Sequence, residues 1–221
     1  MIPIFKSHFS IGRSILNLEK IFEYDQDKIV LVEDSMASFR KAKKTALKAK
    51  KRFIFGLRLE VKSDGDSSKL IFFAKSNKGI DSLRRIYTKT FTEQNGVYQL
   101  NKEDLQEIEI AVPFYDSFLH KSIHNFGCFE LDLPENVTFF VERNNHPFDF
   151  QIENAINKFG GKTVLVKSIF YDKKEDFKAF QFCKAICNRK IGRSPVFNRP
   201  ELEECSSDEF CWESLQEYSK Q

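Results

Sequence analysis

Several residue types are scarce in this 221-residue chain, which holds one Trp, two Met, four His, six Pro and nine Gly. With only His8, His120, His124 and His146 to draw on, a site for several metal ions would have to be rich in carboxylates. The five cysteines, Cys128, Cys183, Cys187, Cys205 and Cys211, are odd in number and lack C-x-x-C spacing, so neither a disulfide framework nor a zinc ribbon is supported. No apolar run approaches the roughly 18 residues of a membrane span. The first residues also lack the charged and apolar regions of a secretory signal. A reducing cytoplasm and no membrane partner are therefore expected. P-loop, G-x-G-x-x-G and G-x-S-x-G patterns are absent, which leaves nucleotide-dependent and acyl-transfer chemistry without local support. Nor does any repeat recur at fixed period.

What the chain has in abundance is Phe, 24 residues, so the core is expected to be filled largely by aromatic rings. The length suits one α/β domain, with two small domains as the other arrangement. Formal charge is only +3 but is unevenly spread: Arg40, Lys41, Lys43, Lys44, Lys48, Lys50, Lys51 and Arg52 fall in one short segment, and Glu201, Glu203, Glu204, Asp208, Glu209, Glu213 and Glu217 near the other end. Such asymmetry can guide an anionic partner, although a basic helix face commonly does no more than stay solvated.

The organising stretch is Ile29 to Val61, read as strand, tight loop, basic helix and strand. Two β-rich runs separated by too many residues for a hairpin predict a parallel crossover. Met36, Phe39, Ala42, Ala46 and Ala49 share one helical face, with Asp34 or Ser35 as expected N-cap. Because ligands in α/β folds gather where strands end, the loop Glu33, Asp34, Ser35 is a place to look for chemistry.

Elsewhere the patterning predicts a first strand at Ile2 to Phe5, a turn over 62–69, a strand at 70–74 and a helix from Ile80 to Phe91 with Arg84 and Arg85 outside. A short helix is expected over 101–107, and strands over 108–114, 137–142 and 163–171. A helix around Ile152 to Phe159 should end at Gly160. A Phe-rich helix over 175–188 would turn Phe177, Phe180, Cys183 and Cys187 inward. Ser206 with Glu209 fits a capping box opening a last helical segment, about 206–221. His120 and His124 stand four apart, but a bare pair without the Glu of H-E-x-x-H is a weak metal motif.

Order and spacing of several motifs resemble the PHP (polymerase and histidinol phosphatase) domain at the N-terminus of bacterial DNA polymerase III alpha subunits, family C. In FKSHFS, residues Ser7, Phe9 and Ser10 match the family's opening motif, and Ile4 and Lys6 stand where its metal-binding histidines belong. The next motif falls on Leu31 to Met36, with Val32 and Glu33 replacing Asp and His. Ile54, Phe55, Gly56, Leu57 and Arg58 resemble I-x-G-x-E, and Arg58 takes the ligand's place. The run LIFFAKSNKGIDSLRRIYTKTF, Leu70 to Phe91, is the most specific non-catalytic match. In VLVKSIFY, Val164 to Tyr171, Ser168 and Phe170 stand for the family's Asp and His.

The resemblance implies a distorted (β/α)7 barrel, a single PHP-like domain over 1–221. At the degenerate positions Ile4, Lys6, Val32, Glu33, Arg58, Ser168 and Phe170 it implies neither a metal site nor a catalytic residue. The function implied is a metal-free pseudo-enzyme of DNA replication, a module of or partner to an alpha-type polymerase or other replisome subunits. It would reside in the cytoplasm of a bacterium or phage-infected cell, and a bacteriophage origin would suit the Phe and Lys bias. The alternative is a Zn- or Mn-dependent phosphoesterase or proofreading 3′ to 5′ exonuclease. Nucleic-acid or partner contact through Arg40, Lys43, Lys44, Lys48, Lys51, Arg84 and Arg85 is a third expectation.

Overall fold

Strict alternation along the apolar runs gives each strand one face for a barrel interior and one for a layer of helices. The computed structural model describes residues 1–63, 66–124, 131–134, 136–187 and 207–219. Its strands are β1 (Ile2–Phe5), β2 (Lys28–Glu33), β3 (Arg52–Ser63), β4 (Asp66–Ala74), β5 (Val97–Gln99), β6 (Ile108–Val112), β7 (Val137–Val141) and β8 (Lys162–Ile169). They are hydrogen-bonded in the order β2-β1-β8-β7-β6-β4-β3-β5, and β2 also pairs with β3. That last pairing closes seven strands into a barrel, with β5 attached to the free edge of β3. Only β4 runs against its neighbours within the ring, so the six other strands all end at one mouth. The result is the expected seven-stranded, distorted TIM-like α/β barrel in a single domain.

The helices are α1 (Leu18–Ile21), α2 (Phe39–Ala49), α3 (Asn77–Thr92), α4 (Phe118–His124), α5 (Asp149–Phe159), α6 (Phe177–Cys187) and α7 (Trp212–Tyr218). Outward strand residues such as Phe5, Leu31, Leu57, Phe72, Phe139 and Ile169 pack beneath them with Ile21, Leu83, Ile86, Ile152 and Ile156. Inside the barrel a smaller core joins Ile4, Val30, Val32, Ile71, Ala111, Phe140 and Val166. Each fully buried Leu or Phe contributes roughly 1.5–3 kcal/mol relative to exposure.

The β2-α2-β3 crossover is parallel, in register from Lys28↔Arg52 to Glu33↔Leu57. Phe39, Ala42 and Ala46 form its buried helical face, whereas Ala49 and Leu47 are exposed and Met36 precedes the helix. The N-cap is Ser38, without a side-chain cap bond, rather than Asp34 or Ser35. Asp34 is diverted because its carboxylate holds two cations across the barrel mouth.

Several boundaries also move. The turn predicted over 62–69 is mostly ladder, since β3 and β4 stay paired through Ser63↔Asp66. Polar residues suit that extension, where Lys121 Nζ donates to the Ser67 carbonyl at 2.7 Å and pairs with Glu60 at 3.4 Å. The 101–107 helix shrinks to a 3-10 turn, Lys102–Leu105. Cys187 is exposed rather than inward, and Lys184 shares the buried face with Phe180. The final helix is capped by Cys211, whose Sγ accepts from Ser214 N, while Glu209 pairs with Lys167 at 3.4 Å. Ser206 of the expected capping box lies outside the described residues, as do Cys128, Cys205, Glu201, Glu203, Glu204 and the His124 side chain.

Candidate functional site at the strand C-terminal mouth

Strand alternation delivers Ile4, Val32 and Ser168 to the barrel interior, and Lys6 and Arg58 follow in the same phase. These residues and Phe170 line one small cavity with Ile71, Pro113, Tyr115, Phe140 and Glu142. Its volume is about 30 Å³, room for one or two waters rather than a substrate. Residues from four separate sequence motifs thus converge on one point. Gly56 permits that convergence, because a Cβ there would lie 2.6 Å from Phe73 Cε1 and 3.0 Å from Val32 Cγ2.

Glu33 is displaced from this group. One residue beyond Val32, it faces the helix layer, where it is fully buried and accepts from Ser7 N at 3.2 Å, Ser7 Oγ at 2.5 Å and Ser10 Oγ. Burial raises its carboxyl above the usual range, outweighing those hydrogen bonds and the nearby Lys6 charge.

Across the mouth runs a chain of ion pairs. Lys6 Nζ reaches Asp34 Oδ1 and Oδ2 at 3.1 and 3.2 Å, and Arg58 Nε reaches Asp34 Oδ1 at 2.9 Å. Arg58 Nη1 continues to Asp116 Oδ2 at 3.4 Å, and Arg13 Nη1 to the same oxygen at 3.8 Å. Asp116 occupies a left-handed backbone position, φ 64°, which Asp tolerates better than most residues. Burial alone would raise Asp34, but Arg58 and Lys6 outweigh it and hold the carboxyl well below its ordinary value. For Asp116 burial is likewise overcome, by Arg58, Arg13, Lys69 and Lys6. The Lys69 ammonium is itself pushed down by burial and by Arg58.

On the other side of the mouth lies a second hydrogen-bonded group. Glu142 accepts from Ser168 N at 3.0 Å, Ser168 Oγ at 2.8 Å and Asn144 Nδ2 at 3.0 Å, yet burial still raises its carboxyl. Tyr115 donates to Asp149 at 2.9 Å, while Asp149 accepts from the backbone amides of Asn144 and His146. The rings of His146 and His120 lie 5.2 and 5.8 Å from that of Tyr115. His8 is exposed instead, with Nδ1 3.1 Å from the Leu16 carbonyl.

These residues do not fit a metal cluster. Ile4, Val32 and Phe170 offer no lone pair, and Lys6 and Arg58 bring positive charge to the same cavity, which disfavours a bound cation. Among the described residues no group of three or more His, Cys, Asp or Glu is placed to hold a metal ion. Sequence reasoning did not single out Asp116, Glu142, Asn144 or Asp149. The only signal available was their position, since each stands just beyond a strand end or at the start of the following helix.

The basic helices lie on the outer wall. Arg40, Lys43, Lys44 and Lys48 are exposed on α2. Lys51 instead donates its ammonium to the Tyr24 carbonyl. On α3, Arg84 pairs with Asp81 at 2.8 Å and lies 5.7 Å from the Phe39 ring, and Arg85 donates to Ser82 Oγ at 3.1 Å.

No family model matches the chain, and no curated protein matches it in sequence. Among solved structures it is similar to an amidohydrolase from Chromobacterium violaceum with bound sulfate and no metal, at TM-score 0.30 and 14% identity over 38% of this chain and 32% of that one. It is also similar to a protein from Bifidobacterium adolescentis assigned as a metal-dependent phosphoesterase, at TM-score 0.32 and 12% identity over 40% of this chain and 33% of that one. Each likeness spans about a third of the other protein's length.

Proposed function

We propose that this chain is a non-catalytic PHP-like barrel in which an ion-pair network replaces a metal centre. In this reading it serves cytoplasmic DNA replication as a structural or interaction module of, or partner to, a polymerase III alpha-type enzyme. One observation carries the non-catalytic part: Lys6 and Arg58, at positions resembling metal ligands, both bond to Asp34. Two fixed cations bridged by a carboxylate tie β1, β2 and β3 together, as a shared cation would. No cofactor is needed for this role. The replication setting rests on the motif resemblance, chiefly Leu70 to Phe91.

The rival reading, a Zn- or Mn-dependent phosphoesterase or 3′ to 5′ exonuclease, draws only on what the motif resemblance implies, since among the described residues no group of three His, Cys, Asp or Glu is placed to hold a metal ion. Assays of the purified chain with Mn or Zn, on p-nitrophenyl phosphate and on a single-stranded oligonucleotide, separate the two. The proposal expects no turnover with either substrate. Chelator-sensitive hydrolysis would replace it with the enzyme reading. Affinity purification from the native host tests the setting: polymerase or replisome subunits should co-purify, and their absence from the recovered partners would count against replication.

A further inference from the structure

At the barrel end opposite the ion-pair network lies a much larger cavity, about 700 Å³, within the roughly 300–1,000 Å³ typical of small-molecule sites. Two features of the sequence create it. First, the interior residues there are small or aliphatic: Val30, Ile54, Ala111, Val164 and Val166 leave the lower barrel unfilled beneath Phe140. Second, the β3–β4 ladder begins only at Gly56↔Phe73, so residues 52–55 of β3 pair with β2 on one edge and lack a β4 partner on the other. The cavity opens through that gap toward Phe39, Phe53 and Ile80, between α2 and α3.

The lip carries a different chemistry. Lys28, Lys43, Lys75 and Lys162 line it and are exposed, and none of them forms an ion pair with another described residue. Glu109 is the one carboxylate among the lining residues. Ile2 and Leu47 also stand at the lip, 38% and 72% exposed. An apolar interior ringed by unpaired ammonium groups is complementary to a ligand with an anionic head and a hydrocarbon body. A nucleotide fits less well, because the mostly aliphatic inward wall offers a base edge few hydrogen-bond partners beyond Thr138 and Glu109 and would leave most of its polar atoms unsatisfied.

We infer that this cavity binds a single-chain anionic amphiphile of the fatty-acid class, carboxylate at the lysine lip and chain inside the barrel. The site is separate from the mouth described above and does not depend on its function. Calorimetric titration of the full chain with sodium decanoate, dodecanoate and tetradecanoate, each below its aggregation concentration, tests it. The expected result is one ligand per chain, with affinity rising roughly fourfold per methylene. Dodecyltrimethylammonium should bind about tenfold more weakly than dodecanoate, its charge being repelled at the lip. The double variant Lys43→Glu with Lys162→Glu changes only exposed residues and should lose dodecanoate binding. Arg143→Glu with Lys173→Glu, toward the opposite barrel end, should retain it. Absence of dodecanoate binding, equal binding of the cationic amphiphile, preference for ATP, or unchanged affinity in Lys43→Glu with Lys162→Glu would each overturn the inference.

Discussion

Arg58 stands at the centre of the mouth's charge balance, bonded to Asp34 on one side and Asp116 on the other. Removing it leaves two carboxylates without their common partner. Breaking a fully buried pair costs about 3–5 kcal/mol. Because the Asp34 side chain keeps 31% exposure, solvent screens part of the loss, and Arg58→Ala is expected to cost about 2–3 kcal/mol in denaturant unfolding. Lys6→Ala with Arg58→Ala should be at least as destabilised; unchanged stability in that double variant would refute the electrostatic role given to the network.

Glu142 makes a prediction of opposite sign. Its folded carboxyl is raised by burial, so its contribution to stability is complete below the unfolded value of about 4.3 and is lost as pH rises through the folded value. Glu142→Gln, which cannot ionise, should therefore melt higher than the parent at pH 8, by roughly 3 °C. That advantage should vanish near pH 4. Melting curves followed by circular dichroism at both values decide it, and an equal difference at the two would contradict the buried-carboxyl account. Asp34 and Asp116 behave conversely: their depressed values supply stability above about pH 3.9 that is lost as pH falls toward them.

Among elements, α2 tests both the reading of its boundaries and the role of its charge. Its C-cap Lys50 sits in the left-handed region at φ 55°, a conformation glycine adopts without strain. Lys50→Gly should stabilise the protein by about 0.5–1 kcal/mol, measured as a shift in denaturant midpoint with unchanged slope. Apart from Lys43 at the cavity lip, the exposed face of Arg40, Lys44 and Lys48 is expected to act as solvated surface, since Lys51, Arg84 and Arg85 already have local partners. A labelled single-stranded oligonucleotide should then stay unbound at low salt. Binding that weakens steeply with salt would assign the face to nucleic acid.

This element also shows how far the sequence can be read. The β2-α2-β3 crossover was legible because its periods switch from two to three and four and back over a short span. The N-cap was not, because the choice between capping α2 and bridging Lys6 to Arg58 is made by residues 28 and 24 positions away from Asp34. The last helix likewise starts at Trp212 with Cys211 as its cap, while Glu209 pairs with Lys167 across the fold.

For the whole molecule, barrel closure is what turns scattered motifs into a site. The family resemblance grouped Ile4, Lys6, Val32, Arg58, Ser168 and Phe170 as degenerate ligand positions, and the closed ring places them around one cavity. Glu33 fell outside because the alternation of β2 sends it to the opposite face from Val32. Asp116, Glu142 and Asp149 were not legible, since a single carboxylate after a strand carries no periodic signal. Their significance comes from neighbours supplied by other strands.

The central claim is that fixed cations occupy the place of bound ones at the strand C-terminal mouth. The most direct measurement is elemental analysis of the purified chain after equilibration with excess Zn and Mn and removal of free ions. The account predicts substoichiometric metal and a melting temperature unmoved by chelator. One or more tightly held ions per chain, with stability lost on chelation, would contradict it.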